Sequence, residues 1–444
     1  MLDHYIQLYE KKTMRSRALF EQAMKRFPGG INHNIRFFEP YPFFTQKANG
    51  KYLHDIDNNA YVDYWMGHWS LILGHSHPAV VDALKQKIPE GTIFGTVNEL
   101  SVRLADTINR LMPKAELMRF ANTGAEATMH AVRLARAYTG RKVIAKIEGG
   151  WHGFNTDLLK SVNYPFDEDE GKGLLEEEMR NVVSIPFNDL DRSIKVLDSV
   201  KNGLAGIIVE PLLGGAGCIP PDPDYLRGLQ EYAKHNNSLF ILDEIVTGFR
   251  LSLRGAHHIF SLDPDLFTLG KVAGGGLPIG IVCGKKEVME LANPIGKGKG
   301  ERCSIGGGTF SANPLGMAAG LATLAHLIEN ESIYERIDRL GELARNGIDK
   351  VMNENNVKVK TTGMGSLFLT HFLNDKVSDV KNALDVAKCD RELQRMYHFA
   401  LIAKYGIFFL PHKLGAISSE HDSDDIKQLI DASDELAKGM RGSK

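Results

Sequence analysis

Residues 238–244 read SLFILDE, an uninterrupted apolar run closed by two carboxylates, Asp243 and Glu244. A second run of the same kind, LAGIIVE, fills 204–210. A strand with one wet face alternates polar and apolar residues. Runs without alternation belong to strands covered on both faces, as in a parallel sheet. The segment between them, DYLRGLQEYAKHN at 224–236, is amphipathic at helical spacing and reads as the crossover that parallel neighbours require.

The rhythm extends outward in both directions. KVIAKI at 142–147, DLFTLGK at 265–271 and PIGIVCG at 278–284 read as further strands. HPAVVDALKQKI at 77–88, NELSVRLADTINRL at 98–111 and AEATMHAVRLARAYTG at 125–140 read as helices, the last stopped by Gly140. Residues 70–330 are thus expected to form one large α/β domain with a mostly parallel central sheet. Residues 1–26 read as a helix ended by Pro28-Gly29-Gly30, and 43–64 as an antiparallel meander with turns at Asn49-Gly50 and Asn58-Asn59. The chain then runs helical through 313–350, returns to strand character at 357–373 and ends in helical patterns at 380–404 and 423–440. The expectation is a smaller α+β domain built from both termini, residues 1–69 and 331–444.

The chain has 444 residues, more than one core usually serves. A formal net charge of -2 offers nothing to nucleic acid or to an anionic membrane. The four cysteines (Cys218, Cys283, Cys303 and Cys389) form no CxxC pair, so neither a disulfide framework nor a metal site is expected. No secretory segment opens the chain and no apolar run has membrane-spanning length, which makes the cytoplasm the expected location.

Four segments fall where strand ends meet loops, the place where open α/β sheets bind ligands. Asn122-Thr123-Gly124-Ala125-Glu126 opens a helix; its free amides, hydroxyl and glycine suit a phosphate, or simply cap the helix. Gly149-Gly150-Trp151-His152-Gly153 sets an aromatic ring among glycines, either to lie on a planar ligand or to fill a turn. Asp243 emerges from an apolar strand, where an unpaired charge is costly. A protonated ring nitrogen would pair with it, and so would magnesium in a nucleotide hydrolase, although no GxxxxGK[ST] run is present. Lys271 follows a buried strand and precedes Gly274-Gly275-Gly276, a setting for a Schiff-base lysine or for an ordinary loop lysine.

In this order the segments resemble those of class III aminotransferases, fold-type I enzymes that use pyridoxal 5'-phosphate. The resemblance runs from Pro28-Gly29-Gly30 through Leu73-Gly74-His75, Glu210-Pro211, the Leu242–Arg250 segment and Gly270-Lys271 to Gly307-Gly308-Thr309-Phe310 and Ala312-Asn313-Pro314. It implies that Lys271 carries the cofactor and shuttles the proton at the substrate carbon, and that Asp243 pairs with the ring nitrogen. Ile245 and Trp151 would lie on the two faces of the ring. Thr123, Gly124 and Ala125 would hold the phosphate, with His152 and Glu210 beside the ring. It further implies a homodimer in which Thr309 reaches the neighbouring cofactor, and amino acids with keto or aldehyde partners as substrates.

Within the family the chain is similar to glutamate-1-semialdehyde 2,1-aminomutases. PGGINHNIR at 28–36 resembles their PGGVNSPVR, which makes Arg36 the expected carboxylate grip. The chain departs from them at Gly67-His68-Trp69-Ser70, where His68 takes the place of a tryptophan. It departs again at Leu213-Gly214-Gly215-Ala216-Gly217 and at Pro411-His412-Lys413, which lacks their acidic residue. His68 and Trp69 are the expected substrate neighbours. The cofactor residues are retained and the substrate residues changed. The expectation is therefore an aminotransferase passing nitrogen from an amino acid to a keto or aldehyde acceptor. The alternatives are the aminomutase itself, which makes 5-aminolevulinate, and a racemase on the same fold.

Overall fold

The two apolar runs form neighbouring parallel strands. In the computed structural model, which describes residues 1–168 and 170–441, they belong to a seven-stranded sheet. Its strands are β1 (Leu117–Ala121), β2 (Val143–Ile147), β3 (Val182–Ile185), β4 (Leu204–Val209), β5 (Leu239–Asp243), β6 (Leu266–Gly270) and β7 (Gly280–Gly284), in the order β1-β7-β6-β5-β4-β2-β3. Every residue of β4, β5, β6 and β7 is buried. The pairs β2–β3, β2–β4, β4–β5 and β5–β6 are parallel, and β7 runs antiparallel to both β1 and β6.

The sequence reading did not anticipate β1 or β3. Both are edge strands, and LMRFA and VVSI are only partly buried, so neither shows the continuous apolar run of the central strands. Helices cover the sheet, among them Gly124–Thr139 and Tyr225–His235. Ala131, Leu134, Ile144, Ile208, Ile241 and Leu266 join in one core cluster. Each large apolar side chain buried there contributes about 1.5–3 kcal/mol, which holds the strand ends in fixed register.

The chain divides into two compact units. The larger comprises Pro78–Tyr334 and Lys381–Ala387; the other comprises Met1–His77, Glu335–Val380 and the described chain from Lys388. Against the expected segments 1–69, 70–330 and 331–444, the units part at 77/78 and 334/335. Lys381–Ala387 belongs with the larger because Gly149 and Gly217 admit it closely: a Cβ on either would lie 2.5 Å from Ala383 or 2.6 Å from Val386.

In the smaller unit, Thr45–Asn49, Tyr52–Asp55 and Ala60–Asp63 form the expected meander, and Ile407–Phe408 joins it in parallel. Val359–Met364 and Leu367–Phe372 form a hairpin extended by Gly415–Ala416. The expected N-terminal helix is two helices, Leu2–Lys12 and Met14–Ala23, broken at Thr13. Asp57 explains the break, since its carboxylate accepts the Arg15 and Ser16 amides and the Ser16 hydroxyl at the start of the second helix. No helix among the described residues is long and apolar enough to cross a membrane.

One buried cation lies in the large sheet. Lys146 of β2 is fully buried, and its Nζ donates to the Lys160 carbonyl at 2.6 Å. Burial pushes its pKa from 10.5 down to about 7, against the upward pull of Glu170, Glu210 and Glu148. Below pH 7 both the folded and the unfolded chain are protonated there, and the fold bears the whole desolvation penalty. Between pH 7 and 10.5 the unfolded chain holds the proton longer, so this group makes stability rise with pH. Lys146→Met is expected to flatten the rise of the thermal midpoint across that window; an unchanged slope would rule Lys146 out as its source.

Candidate active site

Strand direction gathers the four segments. Because β1 and β6 both run antiparallel to β7, β1 runs the same way as β2 to β6. Thr123 and Gly124 therefore follow β1 on the same sheet edge where Trp151 and His152 follow β2, Glu210 follows β4, Asp243 ends β5 and Lys271 follows β6. Gly280 of β7 pairs with Ala121 on one side and Gly270 on the other, which sets the phosphate-type turn and the lysine two strands apart, about 10 Å.

Asp243 is buried and already has three partners. Its Oδ2 lies 2.7 Å from His152 Nδ1, and its Oδ1 accepts from the Thr268 hydroxyl at 2.8 Å and from the Ile245 amide at 3.1 Å. A carboxylate has about four acceptor positions, so one direction stays open. The His152 carbonyl is fixed by Thr128 Oγ1 at 2.5 Å, while the buried His152 Nε2 has no hydrogen-bond partner among the described residues. Glu244, one residue on, faces the other way. It meets His257 Nδ1 at 2.6 Å and the Ala256 and His257 amides at 2.5 and 3.1 Å. Alternation along the strand divides the paired carboxylates into one for the sheet edge and one for the interior.

The Gly124–Thr139 helix starts with a reciprocal cap: Thr123 Oγ1 accepts from the Glu126 amide, and Glu126 accepts from the Asn122 and Thr123 amides. The amides of Gly124 and Ala125 stand in the first turn, where a helix leaves donors without internal partners. Ile245 packs against both this turn and the strand before Lys271, since a Cβ on Gly124 or Gly270 would lie 3.0 or 3.1 Å from its side chain. Gly280 is what lets the turn close down on β7: a Cβ there would sit 1.9 Å from the Thr123 carbonyl oxygen. Gly280→Ala is expected to displace the turn and weaken cofactor binding at least tenfold with a lowered thermal midpoint. Wild-type binding in a cofactor titration would count against this role for Gly280.

Lys271 is half-buried with φ 44°, a left-handed conformation uncommon for a residue with a Cβ. Withdrawal from water lowers its pKa, against the upward pull of Asp243 and Glu210. Glu210 accepts from the Trp151 amide at 2.9 Å and the Gly214 amide at 3.1 Å, and burial pushes its pKa up. Trp151 keeps 40% of its surface exposed and meets Phe154 edge-on at 4.9 Å. Thr309 is exposed, on a loop that passes over the phosphate-type turn: a Cβ on Gly308 would lie 2.4 Å from Asn122 Nδ2. Beside that loop opens a cavity of about 880 Å³ lined by Asn98, Arg119, Lys299, Arg302 and Gly307 among others.

Arg36, His68 and Trp69 belong to the smaller unit. Arg36 is exposed and donates to Asn32 Oδ1 at 3.0 Å. His68 is half-buried between His33 and Trp65, with ring centroids 5.5 and 4.3 Å away. Trp69 is buried, and its indole donates to the Leu414 carbonyl at 2.8 Å. Met66, Gly67, His68 and Trp69 all have positive φ, a strained turn braced by Asp63. Asp63 accepts from the Trp65 amide at 2.7 Å and the Met66 amide at 3.1 Å and meets His75 Nε2 at 2.7 Å.

The larger unit's arrangement fits pyridoxal 5'-phosphate: a helix start for the phosphate, Ile245 against the turn, a carboxylate with one open acceptor position for the ring nitrogen, and a desolvated lysine. Asn122 Oδ1 and His152 Nε2, both buried and without a hydrogen-bond partner among the described residues, mark the same region as polar. Sequence reasoning missed Thr268 and Thr128, which orient Asp243 and His152. The available signal was a hydroxyl inside the otherwise apolar LFTLG. It also missed Gly280, which looks in sequence like any glycine.

Comparison with known proteins agrees. Residues 37–393 match the family described as aminotransferase class-III. The glutamate-1-semialdehyde 2,1-aminomutase of Methanocaldococcus jannaschii is 37% identical over 434 residues, covering 97% of this chain and 99% of its own. A transaminase solved with PLP bound superposes with a TM-score of 0.87 at 29% identity, covering 97% and 98% of the two chains. The beta-phenylalanine aminotransferase of Variovorax paradoxus gives 0.90 at 29%, covering 100% and 97%.

Proposed function

The chain belongs to the class III aminotransferases, and from that premise we propose that it moves an amino group between neighbouring carbons of one substrate, the 2,1-aminomutase reaction on glutamate-1-semialdehyde. The observation that carries this reading is the end-to-end similarity to aminomutases, 34–37% identical over at least 94% of the chain. The enzyme depends on pyridoxal 5'-phosphate, which when bound supplies an electron sink for the charge left at the substrate carbon.

The remaining work falls to the chain's own residues. We assign Lys271 to carry the cofactor and to take and return the proton at the substrate carbon. Its lowered pKa favours the neutral amine that both tasks need. Asp243, oriented by His152 and Thr268, holds the proton of the ring nitrogen. Thr123, Gly124 and Ala125 hold the phosphate, Ile245 and Trp151 the ring faces, and Glu210 the ring edge. Thr309 of the partner subunit completes the phosphate site, so the active form is a homodimer. Arg36 grips the substrate carboxylate, with His68 and Trp69 in the substrate region.

Transamination between two substrates is the second reading. It is favoured by His68 and the Leu213–Gly217 turn, which stand where the resemblance to aminomutases breaks. A half-reaction screen separates the two. Turnover of glutamate-1-semialdehyde to 5-aminolevulinate without a released keto product supports the first. Conversion by single α- or β-amino acids with release of a keto acid replaces it with the second. Arg36→Ala should raise KM for carboxylate substrates about tenfold or more, the worth of a charged hydrogen bond, and leave cofactor absorbance unchanged. An unchanged KM would remove Arg36 from the site.

A further inference from the structure

The stretch Pro411-His412-Lys413, where the chain departs from the aminomutases, faces the helix Arg391–Ala400. The His412 amide donates to His398 Nδ1 at 3.1 Å, and His412 Nδ1 lies 3.0 Å from Gln394 Oε1. Gln394 in turn donates to the Thr370 carbonyl at 2.7 Å, so its Oε1 is the acceptor and His412 Nδ1 the donor. Arg391, Gln394 and His398 stand at i, i+3 and i+7, one face of the helix. The loop thus docks on this face at His412, and the next residue, Lys413, lies close enough to Arg391 to feel its charge. His412 has φ 65°, a left-handed conformation that fixes how Lys413 leaves the turn, and His398 is stacked on Phe409 at 5.3 Å.

Two cations are thus held near each other without an anion. Both are half-buried, and among the described residues neither side chain makes a hydrogen bond or an ion pair. The neighbouring charges are spent elsewhere: Asp390 accepts from the Leu393 amide, and Glu392 and Glu39 pair with Arg395. His412 adds no charge, since burial and the adjacent Arg391, Lys413 and Arg395 push its pKa down to about 3. Burial and Arg391 likewise depress Lys413. Unpaired cations partly withdrawn from water are unfavourable unless a ligand supplies the missing charge.

We propose that Arg391 and Lys413 form a binding site for a small carboxylate. The site rests on side chains of the smaller unit and not on the reaction assigned above. The carboxylate could come from the substrate or from a free carboxylic acid, and the test separates these sources. Glutarate should raise the thermal midpoint of the holoenzyme by about 2 °C or more at saturation, relative to sodium chloride of equal ionic strength. Lys413→Met and Arg391→Met should lose that shift, and Lys413→Arg should keep it. Without glutarate, Lys413→Met should be at least as stable as wild type, because it removes an unpaired charge. No shift in wild type, an equal shift in Lys413→Met, or a fall of that variant's midpoint without glutarate would overturn the proposal. If KM for a carboxylate substrate also rises about tenfold in Lys413→Met with kcat kept, the substrate is the source; if KM is unchanged while the shift is lost, the ligand is a separate effector.

Discussion

Lys271→Ala should lower turnover by roughly four orders of magnitude, the upper range of what a positioned acid–base group contributes, while the chain keeps its fold. The lysine stands at the end of β6, where Gly270 and Ile245 fix its backbone and burial lowers its pKa. Under the proposed roles, alanine removes both the group assigned to carry the cofactor and the base assigned to move the proton. Lys146, whose pKa burial lowers to about 7, is fully buried within the sheet and committed to the Lys160 carbonyl. Borohydride treatment followed by peptide mass mapping gives a readout independent of activity. The cofactor mass should be fixed on the Lys271 peptide in wild type and nowhere in the variant. A variant retaining more than about 1% of wild-type turnover, or a label on another lysine, would sink the assignment.

Asp243→Asn comes second, with an expected loss of about 10²–10³ in kcat, the usual effect of removing one charged group from a preorganised site. The substitution keeps shape and removes charge, so under the proposed role the ring nitrogen would lose its counterion, while Thr268 and Ile245 lose a charged acceptor. His152 Nδ1, now 2.7 Å from a carboxylate, would face an amide. A structural role alone would lower stability and leave the spectrum of the bound cofactor unchanged. The expected signature is instead an altered pH dependence of its absorbance together with the loss in kcat. If kcat stays within tenfold and the titration is unchanged, Asp243 does not hold the ring proton.

Much of this architecture was legible in the chain. LAGIIVE and SLFILDE are too apolar for a strand with a wet face, so buried parallel neighbours followed directly, and with them the place where Asp243 emerges. The edge strands LMRFA and VVSI were not legible, because an edge position does not demand a continuous apolar run. The break at Thr13 was hidden for a different reason: its cause is Asp57, more than forty residues away in sequence.

By itself the sequence determined the class of fold, the order of its segments and the residue types offered to a cofactor, since these depend on local periodicity and on chemistry carried by single positions. The tertiary structure alone decided how those residues are divided and held. It sent Asp243 to the sheet edge and Glu244 to His257, placed Thr268 and Thr128 behind Asp243 and His152, and closed the Thr123 turn onto Gly280. It also brought Lys413 close enough to Arg391 to feel its charge, by docking His412 on Gln394 and His398. Strand register, close backbone approach and unpaired charge are relations between residues distant in the chain, and only packing fixes them.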